Sequence, residues 1–385
     1  MINKLILVFL IKIFTFSTAY AKHQNEAYGN MFFFDKFEVK GSNSFLKFNS
    51  DLIKDKDVIR EIKNKDKTRL ISYLLYENNQ IIIDEHDIPS HIKNNKGLLP
   101  SHSMGKSLVS YVTGYAICEG YIDNVDIVLN DWPVLKGTLY EGQKLIDLLN
   151  MRAGDQEIIG EKKYKSGSRI KDKHSVNVSS IKSIMESDIL QSTKKSKPVY
   201  NYNALATNTI MNYTIFKVGD DYQKLLSKIF KEDAKIKNSV FFGKTVRFRQ
   251  DSKYHPREIG RYSFYADRYD YLRIAIAFMN HWNNDTCVGK YLKEMYERRI
   301  SKNKKNFEGD RQGQFTVAQY TKKYGGQFHF DIVSFSLTKR KILGMDGFGG
   351  QQIIIDFEKG RIIVVNSRDR HYNWKKIVLE KLKQQ

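Results

Sequence analysis

The stretch Pro100-Ser101-His102-Ser103-Met104-Gly105-Lys106-Ser107, continued by Leu108-Val109-Ser110-Tyr111-Val112-Thr113-Gly114-Tyr115-Ala116, decides how the rest of the chain is read. Apolar residues recur at Met104, Leu108, Tyr111, Val112 and Tyr115 with helical spacing. Small residues (Gly105, Ser107, Ser110, Gly114, Ala116) fill the other faces, so the spacing predicts a helix packed closely on all sides. Pro100 ends the preceding segment and Ser101 is the expected N-cap. Ser103 and Lys106 then fall in the first turn, three apart on one face, where an amine can touch a hydroxyl. A serine hydroxyl needs a neighbouring base to act as a nucleophile. Lysine can serve when burial and the positive end of a helix dipole destabilise its ammonium form. The S-x-x-K spacing alone carries little in a lysine-rich chain, since it recurs at Ser44/Lys47, Ser168/Lys171, Ser179/Lys182, Ser192/Lys195, Ser301/Lys304 and Ser336/Lys339. The apolar, small-residue helix behind Ser103 sets it apart from those, which lie in polar or strand-like surroundings.

Working outward, the 385 residues are 41% hydrophobic and 13% aromatic, enough for one large domain or two lobes. Residues 1–21 read as a secretory signal: Lys4, an apolar run Leu5 to Ile11, then Ser17-Thr18-Ala19-Tyr20-Ala21 as a small-residue cleavage site before Lys22. A periplasmic location is the expectation. The two cysteines, Cys118 and Cys287, leave a single disulfide and two buried free thiols both open. The formal net charge of +21 favours anionic surroundings, an envelope polymer or a membrane surface. The lysines are scattered and no nucleic-acid-binding signature accompanies them, so no nucleic-acid partner is expected.

Residues 22–67 form an N-terminal extension whose Phe32-Phe33-Phe34 cluster is expected to pack on the main body. Leu70 to Tyr76 and Ile81 to Asp84 flank Glu77-Asn78-Asn79-Gln80 as a hairpin. Asp84-Glu85-His86-Asp87 with His91 lacks metal-ligand spacing and reads as a polar loop. Glu119-Gly120 stops the serine helix, and Leu145 to Met151 is a short amphipathic helix closed by Arg152-Ala153-Gly154-Asp155. Residues 156–198 read as an irregular polar excursion. Val199 to Phe216 and Tyr265 to Trp282 read as helices, with residues 300–322 as charged loop. Gln327 to Leu337, Gln352 to Phe357 and Arg361 to Val365 read as strands, and Trp374 to Lys383 as a closing helix. The fold class is therefore α+β: an antiparallel sheet built from both chain ends and flanked by helices, with a mostly helical inserted lobe at roughly 125–320 within a domain spanning 68–385.

These pieces, taken in order, resemble the serine β-lactamase and penicillin-binding-protein superfamily. Within it the resemblance is to the class C-like esterases and the nylon-oligomer (6-aminohexanoate-dimer) hydrolases. It rests on a hairpin before S-M-G-K-S, then E-G-Y-I-D, W-P with G-T-L-Y-E-G, L-L-N-M-R-A-G, Y-N-Y-N-A-L-A-T-N-T-I, Y-A-D-R-Y and G-F-G-G-Q before a strand, covering residue 68 to the C-terminus. It implies Ser103 as nucleophile, Lys106 as its amine, and Tyr202 as the tyrosine of the Y-x-S/N motif. A phenol beside a lysine ammonium can ionise below its usual value near 10 and shuttle a proton. Ala204 stands where the family often has Asn or Ser, so Asn203 or Asn201 is expected to orient substrate instead. Phe348-Gly349-Gly350-Gln351 matches the Gly-rich strand element that lines the site. The amides of Ser103 and Gln351 are expected to hold the oxyanion, with Phe348, Gly349 and Gly350 lining the cleft.

The resemblance implies an exported serine hydrolase cleaving a small-molecule amide or ester, without cofactor or metal. Phe348 in place of the usual Lys or His implies little β-lactam hydrolysis. A second reading is a catalytically silent relative that binds envelope polymer through its basic surface.

Overall fold

The computed structural model describes residues 36–64, 68–94, 96–156, 197–244, 260–302, 316–334, 336–337 and 339–384, together with the backbone pairing of 159–160 and 169–170. The expected signal at 1–21, the Phe32-Phe33-Phe34 cluster and most of 156–198 lie outside the described residues.

The chain opens with β1 (Lys36–Val39), β2 (Asn49–Ser50) and the helix α1 (Lys56–Lys63), whose first turn is capped by Asp55 accepting from the Asp57 and Val58 amides. The expected hairpin follows as β3 (Leu70–Glu77) and β4 (Gln80–His86). Its turn residues Asn78 and Asn79 sit at φ 51° and 63°, the left-handed conformation a two-residue hairpin requires and asparagine tolerates. After β5 (Leu99–Pro100) comes α2 (Met104–Cys118), the serine helix, with every residue from Met104 to Ala116 buried. Then follow α3 (Leu145–Leu149), the short pair β6 (Ile159–Gly160) and β7 (Arg169–Ile170), and α4 (Ala204–Val218). Strands β8 (Val240–Lys244) and β9 (Gly260–Ala266) precede α5 (Arg268–Asn283) and α6 (Cys287–Glu297). The chain closes with β10 (Ile300–Ser301), β11 (Thr321–Gly325), β12 (Phe328–Ile332), β13 (Ile342–Asp346), β14 (Gln352–Asp356), β15 (Arg361–Ser367) and a helical segment over Lys375–Lys383.

The principal sheet runs β10-β11-β12-β13-β14-β15-β3-β4-β2, so the late strand β15 pairs directly with the early strand β3. All its pairings are antiparallel except β2 with β4. Its central strands are covered on both faces, which is why β14 and β15 read as continuous Ile and Val runs. Ile353, Ile355, Ile362 and Val364 face the large core containing α2 and α5, whereas Ile354, Ile363 and Val365 face α1 and the C-terminal helix.

A second sheet, ordered β1-β8-β9-β5, lies in the lobe expected to be mostly helical. Residues 36–64 are part of the body rather than an appendage, because β1 completes that second sheet and β2 the edge of the first.

Several boundaries differ from the sequence reading. Asp84 to His86 belong to β4, where Asp84 pairs with Arg268 and accepts from Tyr269. Tyr265 lies in β9, and Asp267 begins α5 by accepting from the Asp270 amide. Asn203 caps α4, so that helix starts at Ala204 rather than Val199. The run expected as one strand from Gln327 is the second arm of a hairpin that begins at Thr321. Cys118 and Cys287 form a disulfide joining the end of α2 to the start of α6. Among the described residues, no helix is long and apolar enough to cross a membrane and no His/Cys/Asp/Glu group is arranged to hold a metal ion.

Candidate active site

Ser103 occupies the N-cap position of α2, and the expected cap Ser101 instead accepts from the Phe264 amide. His102, immediately before the serine, has φ 47°, a conformation non-glycine residues rarely adopt. The sharp turn it makes leaves Ser103 partly exposed at the start of an otherwise buried helix.

Three residues on, Lys106 is 3% exposed and its Nζ donates to Ser103 Oγ at 2.8 Å. The same Nζ lies 4.5 Å from the ring centre of Tyr202 and 4.3 Å from that of Tyr262. Two aromatic rings therefore pack on this nitrogen, and among the described residues no carboxylate pairs with it.

Tyr202, 6% exposed, sits in the loop entering α4 with Tyr324 edge-on against it, ring centres 6.0 Å apart. Ser103, Lys106 and Tyr202 are thus brought together around one amine. Asn203 does not face this cleft. It is 1% exposed, its Oδ1 accepts from the Ala206 amide as a helix cap, and its Nδ2 donates to Asp155 Oδ2 and to the Asn201 carbonyl. The expectation that it orients substrate is corrected on that ground, and Asn201 is drawn inward to Asp155 as well.

The Gly-rich turn after β13 packs against the serine turn: a methyl on Gly347 would lie 2.7 Å from the Ser101 carbonyl oxygen. Phe348, in the same turn, is 45% exposed. Gln351 is fully buried, and its side chain accepts from the Gly349 amide and donates to the Ser367 carbonyl. It braces the turn from inside. Gly350, at φ 85°, turns the chain into β14 and its carbonyl accepts from Tyr372.

Three residues near the site were not singled out by sequence reasoning. Tyr262 on β9 covers Lys106 opposite Tyr202, and its backbone meets α2 at Gly105, where a methyl would run into the Tyr262 carbonyl. Gln327, at φ 68°, ties four elements together: its carbonyl accepts from Ser107, its Oε1 from Thr207, and its Nε2 donates to the Leu148 and Leu149 carbonyls. His329 is buried in β12, where burial first and the nearby Lys302, Arg370 and Lys106 cations next hold its imidazole well below the usual range and therefore neutral.

No family model matches the sequence, and no curated protein does. Solved structures do match. A protein from Bacillus anthracis described as a 6-aminohexanoate-dimer hydrolase superposes with a TM-score of 0.62 over 93% of each chain at 14% identity. The fold is that of the serine β-lactamases and penicillin-binding proteins. Within this β-lactamase fold, a class C β-lactamase from Rhodobacter sphaeroides matches at TM-score 0.52 and 13% identity, covering 84% of this chain and 97% of its own. An octameric penicillin-binding-protein homologue from Pyrococcus abyssi matches at TM-score 0.53 and 14% identity, covering 84% of this chain and 75% of its own. At such identities the likeness is one of fold. The β-lactamase fold joins a sheet assembled from both chain ends to an inserted lobe, and the Ser103 helix of this chain runs between the two.

Proposed function

We propose that the chain is an exported serine hydrolase that cleaves an amide or ester through an acyl-enzyme. The observation that carries this is one amine, Lys106 Nζ, hydrogen-bonded to Ser103 Oγ at 2.8 Å while lying against the Tyr202 ring. Ser103 Oγ attacks the substrate carbonyl as its proton passes to the free-amine form of Lys106. The tetrahedral oxyanion is held by the backbone amides of Ser103 and Gln351, each such donor contributing roughly 3 kcal/mol in acyl-transfer enzymes. Tyr202 relays the proton from Lys106 to the departing nitrogen or oxygen, and water then releases the acyl group by the reverse proton path.

Export is supported by the signal-like residues 1–21 and by the Cys118–Cys287 bond, which persists in oxidising compartments. The similarity to a structure described as a 6-aminohexanoate-dimer hydrolase supports short linear amides as substrates to try first. The test is treatment with a fluorophosphonate and location of the adduct by mass spectrometry, alongside nitrophenyl-ester turnover. We expect modification at Ser103 and a loss of turnover of at least about a thousandfold in Ser103→Ala. An adduct on another residue, or undiminished turnover in Ser103→Ala, overturns the mechanism.

A further inference from the structure

We infer that Asp155 is a positioning residue for Tyr202, holding it on Lys106 through the two asparagines that flank it; this rests on the hydrolase reading above for its catalytic consequence. Asp155 is 1% exposed. Its Oδ1 accepts from Asn201 Nδ2 at 2.8 Å, and its Oδ2 accepts from Asn203 Nδ2 at 3.0 Å and from the Tyr140 hydroxyl at 2.8 Å. Among the described residues no cation pairs with this carboxylate. A buried carboxylate satisfied only by neutral donors is an expensive way to fill space, because an apolar group of similar size is often no worse for stability. What the carboxylate contributes here is geometry.

Residues 201 and 203 flank Tyr202, and Asn203 is extended at φ −153° and ψ 164°. By taking both asparagines, one carboxylate holds the segment on either side of Tyr202, whose ring meets Lys106. The clasp is anchored at both ends. The Asn201 amide donates to the Met151 carbonyl at 2.7 Å, and Asn203 caps α4 at 2.8 Å. Tyr140, the third donor, hydrogen-bonds the carboxylate from outside the 201–203 segment, which makes it a built-in control.

The experiment uses the full-length protein with nitrophenyl acetate. In parallel, NMR of tyrosine labelled with carbon-13 at Cζ follows the ring, with the Tyr202 signal identified by its loss in Tyr202→Phe. Asn203→Ser keeps a helix-capping oxygen but cannot reach Asp155, and Asp155→Asn turns one acceptor into a donor facing a donor. Both are expected to lower kcat roughly ten- to hundredfold with KM within about twofold, as a displaced catalytic group does, and to move the Tyr202 signal. Tyr140→Phe should lower the melting midpoint yet keep kcat within about twofold and the signal in place. The inference is overturned if Asn203→Ser retains wild-type kcat and an unmoved signal, or if Tyr140→Phe lowers kcat as far as the other two. Should Asp155→Asn fail to fold, Asn203→Ser decides alone. A moved Tyr202 signal in a protein whose wild type never acquires a Ser103 adduct sustains the clasp and removes the hydrolase reading, so the two failures are distinguishable.

Discussion

The two ends of the serine helix are held in opposite ways. At its start, Ser103 and Lys106 depend on non-covalent contacts: the left-handed His102, the Gly105 backbone pressed against Tyr262, and the rings of Tyr202 and Tyr262 around one amine. At its end, Cys118 is bonded to Cys287 across 169 residues of chain, with Ser110 and Tyr291 hydrogen-bonded one face earlier. On the proposed function, reactivity is set at the end held by non-covalent contacts, and stability at the end closed covalently. The difference leads us to expect that the helix can be loosened at one end without retuning the other.

That separation can be broken in three ways. The largest effect is expected from Cys118→Ser with Cys287→Ser, which should cost roughly 2–5 kcal/mol in denaturant unfolding, as removal of a native disulfide does. Turnover per folded molecule should stay within twofold, and a parallel collapse of kcat would show the two ends to be coupled. Next, Gly105→Ala forces a methyl into the Tyr262 carbonyl. Overpacking of this kind costs about 1–3 kcal/mol. Here, unlike in the cysteine pair, kcat for an ester substrate should fall several-fold at a temperature where the variant is fully folded.

The smallest effect concerns Asp126, which follows the helix and is tied to Arg298 at the end of α6. Its hydrogen bond to Arg298 holds its carboxyl down to about 2. A depressed carboxyl stabilises the fold above its ordinary pKa near 4, and that contribution is lost as the pH falls through about 2. Both partners are over a third exposed, so Asp126→Asn should cost under about 1 kcal/mol at pH 7 and a vanishing amount once the pH is well below 2, when unfolding is followed at both. A loss that persists undiminished well below pH 2 would place its origin in packing instead.

The legibility of this molecule in its sequence follows the range of the physics involved. Ser103 and Lys106 could be paired on paper because three residues in a helix span a contact, and the β3–β4 hairpin because Asn78-Asn79 encodes its own turn. Tyr202 was reached through motif order, since its approach to Lys106 spans the inserted lobe. Tyr262 was invisible because a tyrosine in a strand is ordinary β-forming chemistry, and only the glycine opposite brings its backbone against α2. The bracing role of the Gln351 side chain was hidden for a related reason. A run of glycines announces that the backbone turns, as Gly350 does, but not which neighbouring side chain ends beneath the turn. Asp155 lies 46 and 48 residues from the asparagines it holds, with no local pattern linking them.

The pairing of β15 with β3 carries a consequence for how the protein comes into being. A floor whose middle boards are residues 70–77 and 361–367 cannot be laid until the last part of the polypeptide has emerged. Until then the serine helix has no support beneath it, and the meeting of Ser103 with Lys106 and Tyr202 has to wait for the end of synthesis.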